Sequence, residues 1–164
     1  MTKRITALLI AVLLPITFIL SGCGSKELTP QEYRDQMYDN FTQYLETLRE
    51  ISGVQAEVST VEELRERQKE AGQLCRNAEM ILNLYKEMTP PSQFADKHKK
   101  LLTAVESEKG FLQAVEKVFT AASADELSKN KKEADTFFDG IPEKQQFPAV
   151  FLELFLEVQS AVGE

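Results

Sequence analysis

Three long stretches of this chain repeat apolar residues every three or four positions, and each ends at residues a helix tolerates poorly. That combination leaves packed helices as the expected architecture. The first stretch opens at Thr29-Pro30-Gln31-Glu32, where Thr29 suits the N-cap, Pro30 the first helical position and Glu32 a capping box. Tyr33, Met37, Phe41, Tyr44, Leu45, Leu48 and Ile51 then mark one face, and Gly53 is the expected end. Ser59-Thr60-Val61-Glu62-Glu63 offers a second capping box. The stripe after it is Val61, Leu64, Ala71, Leu74, Cys75, Ala78, Ile81, Leu82, Tyr85 and Met88, stopped by Thr89-Pro90-Pro91.

Ser92 is the expected cap of a third helix, with a core face of Phe94, His98, Leu101, Leu102, Val105, Leu112, Val115 and Phe119. Gly110 within it costs about 1 kcal/mol relative to alanine and suits a close helix crossing. Ser123-Ala124-Asp125-Glu126 caps a fourth helix carrying Leu127, Ala134, Phe137 and Phe138, with Gly140 as its end. Ile141-Pro142 reads as a turn. A last helix runs to about Val162, with Pro148 in its first turn or marking a restart. Val150 to Val158 alternates locally, but its Leu and Glu content and the Phe147-Phe151-Phe155 spacing favour helix. The expected fold is all-α: an antiparallel up-and-down bundle of four to five helices over residues 30–164.

The N-terminus has a different character. Lys3 and Arg4 precede an apolar run from Ile5 to Leu20, shorter than the about 20 residues a membrane-spanning helix needs. Charged start, apolar middle and small-residue exit are the layout of a cleaved signal. Leu20-Ser21-Gly22-Cys23 closes it and resembles the lipobox of bacterial lipoproteins. The resemblance implies a signal peptide at 1–22, acyl chains such as palmitate on Cys23, and a short tether at 23–29 before the bundle. Two chains suffice for stable anchoring where one is marginal. It also implies the extracytoplasmic face of the cell membrane, or alternatively the periplasmic face of a Gram-negative outer membrane. Gly24 follows the cysteine where inner-membrane retention would use Asp, and Gly-Ser-Lys-Glu has a Gram-positive style. The Pro-Pro turn followed by Phe94, His98 and Leu101-Leu102 is similar to small uncharacterised helical lipoproteins of Gram-positive bacteria, a likeness that implies no activity.

Charge and cysteine usage narrow the partners. Lys3 and Arg4 are the only charged residues before Cys23, so cleavage takes the formal net charge from −7 to −9. So acidic a domain lacks the basic footprint that nucleic acid requires. With Cys23 lipidated, Cys75 has no partner within the chain. Its place on the face of Ala71, Ala78 and Leu82 makes it a small core residue, whereas a reactive thiol would need exposure and nearby positive charge. His98 is the only histidine, flanked by Lys97, Lys99 and Lys100. Its structural reading is a hydrogen-bonded core histidine; its functional reading is a neutral ligand or base in a pocket shared with Tyr85. No carboxylate stands at metal-site spacing, and no Glu-x-x-His, Cys-x-x-Cys or His-Glu-x-x-His occurs. No metal, cofactor or catalytic group is therefore expected, and the chain reads as no enzyme. Glu62-Glu63 and Glu106 with Glu108 read as solvated faces.

Two surface readings remain. The short tether places the first helix near the bilayer, and an antiparallel bundle brings the Pro-Pro turn to the same end. Lys97, Lys99 and Lys100 would then face anionic headgroups, each worth about 1 kcal/mol, unless they are an ordinary solvated face. Val150 to Val158 is apolar nearly all round, broken only by Glu153 and Glu157. Such a helix is either central in its own bundle or presents Phe151 and Phe155 to an envelope protein or a second copy. The function expected is a membrane-anchored, non-enzymatic interaction or adaptor module at the cell envelope. The alternative is a small-ligand-binding lipoprotein with a pocket between helices near His98 and Tyr85.

Overall fold

The computed structural model describes residues 26–57 and 60–163. The expected signal segment at 1–22 and Cys23 lie outside the described residues. Five α-helices make up the fold: α1 Pro30–Glu57, α2 Val61–Glu87, α3 Ala95–Phe119, α4 Ala124–Asp139 and α5 Phe147–Val162. Among the described residues there is no strand, and no helix is long and apolar enough to cross a membrane.

Local chemistry accounts for most of the boundaries. Thr29 Oγ1 accepts from the Glu32 backbone N–H (3.2 Å) while the Glu32 carboxylate accepts from the Thr29 N–H (2.8 Å), the capping box read from the sequence. Thr60 and Glu63 repeat it at α2. At α4, Ser123 caps the Glu126 N–H, but the Glu126 carboxylate reaches one residue further back, to the N–H of Ala122. Pro148 sits in the first turn of α5, and Gly140 follows α4 as expected.

Two boundaries differ from expectation. α1 runs through Gly53 to Glu57, because Ile51 and Val54 on either side are both buried and their burial offsets the glycine's cost. Ser92 does not cap α3. It opens a single 3-10 turn, Ser92–Phe94, that lets the chain leave the extended Pro90-Pro91 backbone and drop Phe94 into the core against Tyr33. The Ser92 backbone N–H donates instead to the Glu27 carboxylate.

The helices form four limbs. α1, α2 and α3 run up, down and up, each packed on the next. Contacts along α3 then fall in antiparallel order: Lys117 meets Asn130, Gly110 and Phe111 meet Phe137 and Phe138, and Lys97 meets Glu157. α4 and α5 therefore descend α3 in succession as one limb, broken at Gly140–Gln146. The two halves are held differently. α5 packs on both α1 and α3 and closes a four-helix layer, whereas α4 makes its substantial contacts with α3 alone.

An aromatic cluster fills the closed layer. Phe147 is fully buried and meets Tyr44 and Tyr85 edge-on at centroid distances of 5.4 and 5.5 Å. Phe151 stacks on Phe41 at 3.9 Å. The Pro-Pro turn and the start of α1 share one end of the bundle, joined by a hydrogen bond from the Leu28 N–H to the Thr89 carbonyl (3.0 Å).

Candidate functional site

The polar side chains that a search for chemistry would single out are nearly all inside. His98 is buried at the first full turn of α3, and its Nδ1 shares a 2.8 Å hydrogen bond with the Tyr33 hydroxyl of α1. Burial holds the imidazole below its ordinary pKa, opposed by the backbone carbonyl of Tyr85. His98 Nε2 is buried without a hydrogen-bond partner among the described residues, so the Tyr33 hydroxyl is the polar group that holds the ring. Tyr85 is fully buried and donates to the Met37 carbonyl (3.1 Å). The two residues expected to share a ligand pocket thus both contribute to the packed core.

Glu108 departs from the sequence reading. It is not part of a solvated face with Glu106 but is buried on α3, where the Tyr44 hydroxyl donates to its Oε1. Burial raises its pKa, partly opposed by that hydrogen bond, and no cation is paired with it among the described residues. Glu106 does lie outside, bridging to Lys86 at 2.5 Å. Cys75 is buried as its spacing implied. Its thiol is pushed up to about 12, mainly by burial, with Glu116 and Glu79 adding to the effect and Arg76 opposing it. Among the described residues no group of three or more His, Cys, Asp or Glu side chains stands close enough to hold a metal.

Outside the core, the three lysines of early α3 diverge. Lys99 pairs with Asp96 in solvent at 3.1 Å, while Lys97 pairs across the bundle with Glu157 of α5. Lys100 has no carboxylate partner among the described residues. Lys97 and Lys100 instead line one wall of a groove between α3 and α5. Lys144 and Gln145 line the same groove from the 3-10 turn Glu143–Gln145, which occupies the break between α4 and α5.

The last helix is not central. Phe151 is 3 % exposed and faces Phe41 and Tyr85, so it is spent on the protein's own core. Phe155 is half-buried and lies between Phe151 (5.5 Å) and Tyr38 of α1 (6.0 Å). Outward from it, Leu152 and Leu156 are 54 % and 58 % exposed, and Tyr38 is 57 % exposed. Leu152 and Leu156 are one helical turn apart and form with Phe155 and Tyr38 an apolar ridge along the α1–α5 seam. The sequence reading found the right helix but named one residue that the core uses and missed the two that it leaves open.

Comparison with protein-family models, with curated proteins and with solved structures finds no match for this chain.

Proposed function

We propose that this protein is a non-enzymatic interaction module, anchored through acylated Cys23 on the extracytoplasmic face of the cell membrane, that docks an envelope protein or a second copy of itself. The observation that carries the docking role is the ridge of Tyr38, Leu152, Phe155 and Leu156. Three side chains more than half exposed, Tyr38, Leu152 and Leu156, gathered around Phe155 at one seam support an interaction surface there. The anchoring role rests on the resemblance of Leu20-Ser21-Gly22-Cys23 to a lipobox, and the bond between Leu28 and Thr89 supports it by tying the bundle to the end of the tether.

Two measurements test the two roles separately. Metabolic labelling with a palmitate analogue should mark the wild-type chain, and Cys23→Ser should lose the label; labelling that survives the substitution removes the anchor. A photo-crosslinker at Leu152 on intact cells should capture one dominant species, either a dimer or a single partner. L156D should suppress that capture without lowering the melting temperature. A diffuse pattern unaffected by L156D removes the docking role.

A further inference from the structure

The break between α4 and α5 leaves a groove that the aromatic core does not fill. Its floor is apolar, formed by Ala104 and Leu154, both buried, and half-buried Val150. Its rim is basic, with Lys97 and Lys100 contributed by α3 and Lys144 by the 3-10 turn. Lys97 is neutralised by Glu157, and Glu153 stands on the α5 side, but Lys100 and Lys144 have no carboxylate partner among the described residues. The groove therefore keeps a net positive charge within a chain of net charge −7. Its volume is about 300 Å³, at the lower end of what small-molecule sites enclose. A bare anion would leave the apolar floor uncovered, and a neutral apolar body would leave the lysines unpaired.

We infer that this groove binds a single monomeric anionic amphiphile. Its carboxylate or phosphate head lies between Lys100 and Lys144, and its short apolar body lies over Ala104, Val150 and Leu154. Burying the body excludes water from the floor, and the two lysines give the head charge-assisted hydrogen bonds. The site is independent of the ridge on the other flank of α5, so it stands whether or not that ridge docks a protein.

Lysine-labelling footprinting read by mass spectrometry tests the site in the full chain, held in nanodiscs of neutral phosphatidylcholine. With hexyl phosphate or hexanoate at about ten times the dissociation constant, acylation of Lys100 and Lys144 should slow about tenfold, as mass action requires. Labelling of Lys99 and Lys129 should not change. Val150→Gln should weaken that protection, and Lys144→Gln should weaken it at Lys100, both at unchanged melting temperature. Equal protection by inorganic phosphate would overturn the role of the apolar floor, and equal protection by hexyl glucoside that of the lysines. Protection that appears only when phosphatidylglycerol is added to the nanodisc would make the ligand a bilayer lipid and overturn the inference, as would no protection by any probe.

Discussion

At the scale of single residues, this bundle places its unusual chemistry where solvent does not reach it. Glu108 has the clearest consequence. Its folded pKa lies above the ordinary value of 4.5, so over that interval the folded chain holds a proton that the unfolded chain has released. Its contribution to stability is complete below the unfolded value and is lost as pH rises through the folded one. E108Q should therefore raise the melting temperature near neutral pH, with the gain shrinking toward pH 4; an equal gain at both pH values would show that Glu108 is charged throughout. Removing the hydroxyl opposite His98 works differently. Y33F leaves a buried ring nitrogen without its partner and should cost about 1–3 kcal/mol in chemical denaturation. The burial of Cys75 and His98 was legible in the sequence, because each falls on an apolar face. Glu108 was misread as solvated beside Glu106, although Leu101, Val105, Glu108 and Leu112 share one helical register that carried the signal of its burial.

At the scale of elements, caps were the most readable feature, Ser92 excepted, and helix ends the least. A cap is a local exchange of hydrogen bonds, so Thr29, Thr60 and Ser123 announce themselves. Whether a helix continues past Gly53 depends on what Val54 packs against, which is tertiary information. α4 shows the same dependence. It is held by α3, buries few side chains, and uses Gly110 to bring the Phe137 ring close to the α3 backbone. A Cβ added at Gly110 would stand 2.6 Å from the tip of that ring. The ring is 41 % exposed and free to swing outward. G110A should thus leave global stability within about 1 kcal/mol, since α3 gains helix propensity as α4 loses a contact. Amide exchange across Ala124–Asp139 should accelerate, and in the wild type that helix should already exchange faster than α5.

At the scale of the whole molecule, the period of the apolar residues predicts a bundle but not the pairing of its limbs. α5 shows why. A helix apolar on every side carries no directional signal, so its sequence does not distinguish Phe151, which the core consumes, from Leu152, which it leaves exposed. The groove was illegible for a related reason, since it arises where two short helices succeed each other along α3. The two flanks of α5 should respond oppositely to substitution. F151A should cost about 3–5 kcal/mol in denaturant unfolding, whereas L152D should change stability by no more than about 0.5 kcal/mol.

The hydrogen bond between Leu28 and Thr89 also limits how far the protein can search. With Glu27 and Leu28 fixed to the Pro-Pro turn, only three residues separate the proposed lipid attachment at Cys23 from the body of the bundle. Fully extended, that link spans about 14 Å, less than the length of any one of its five helices. In the anchored state the domain would sweep a thin sheet beside the bilayer and not the volume above it. Encounters would then be two-dimensional, with partners met by lateral diffusion, and a target far from the membrane would have to come down to it.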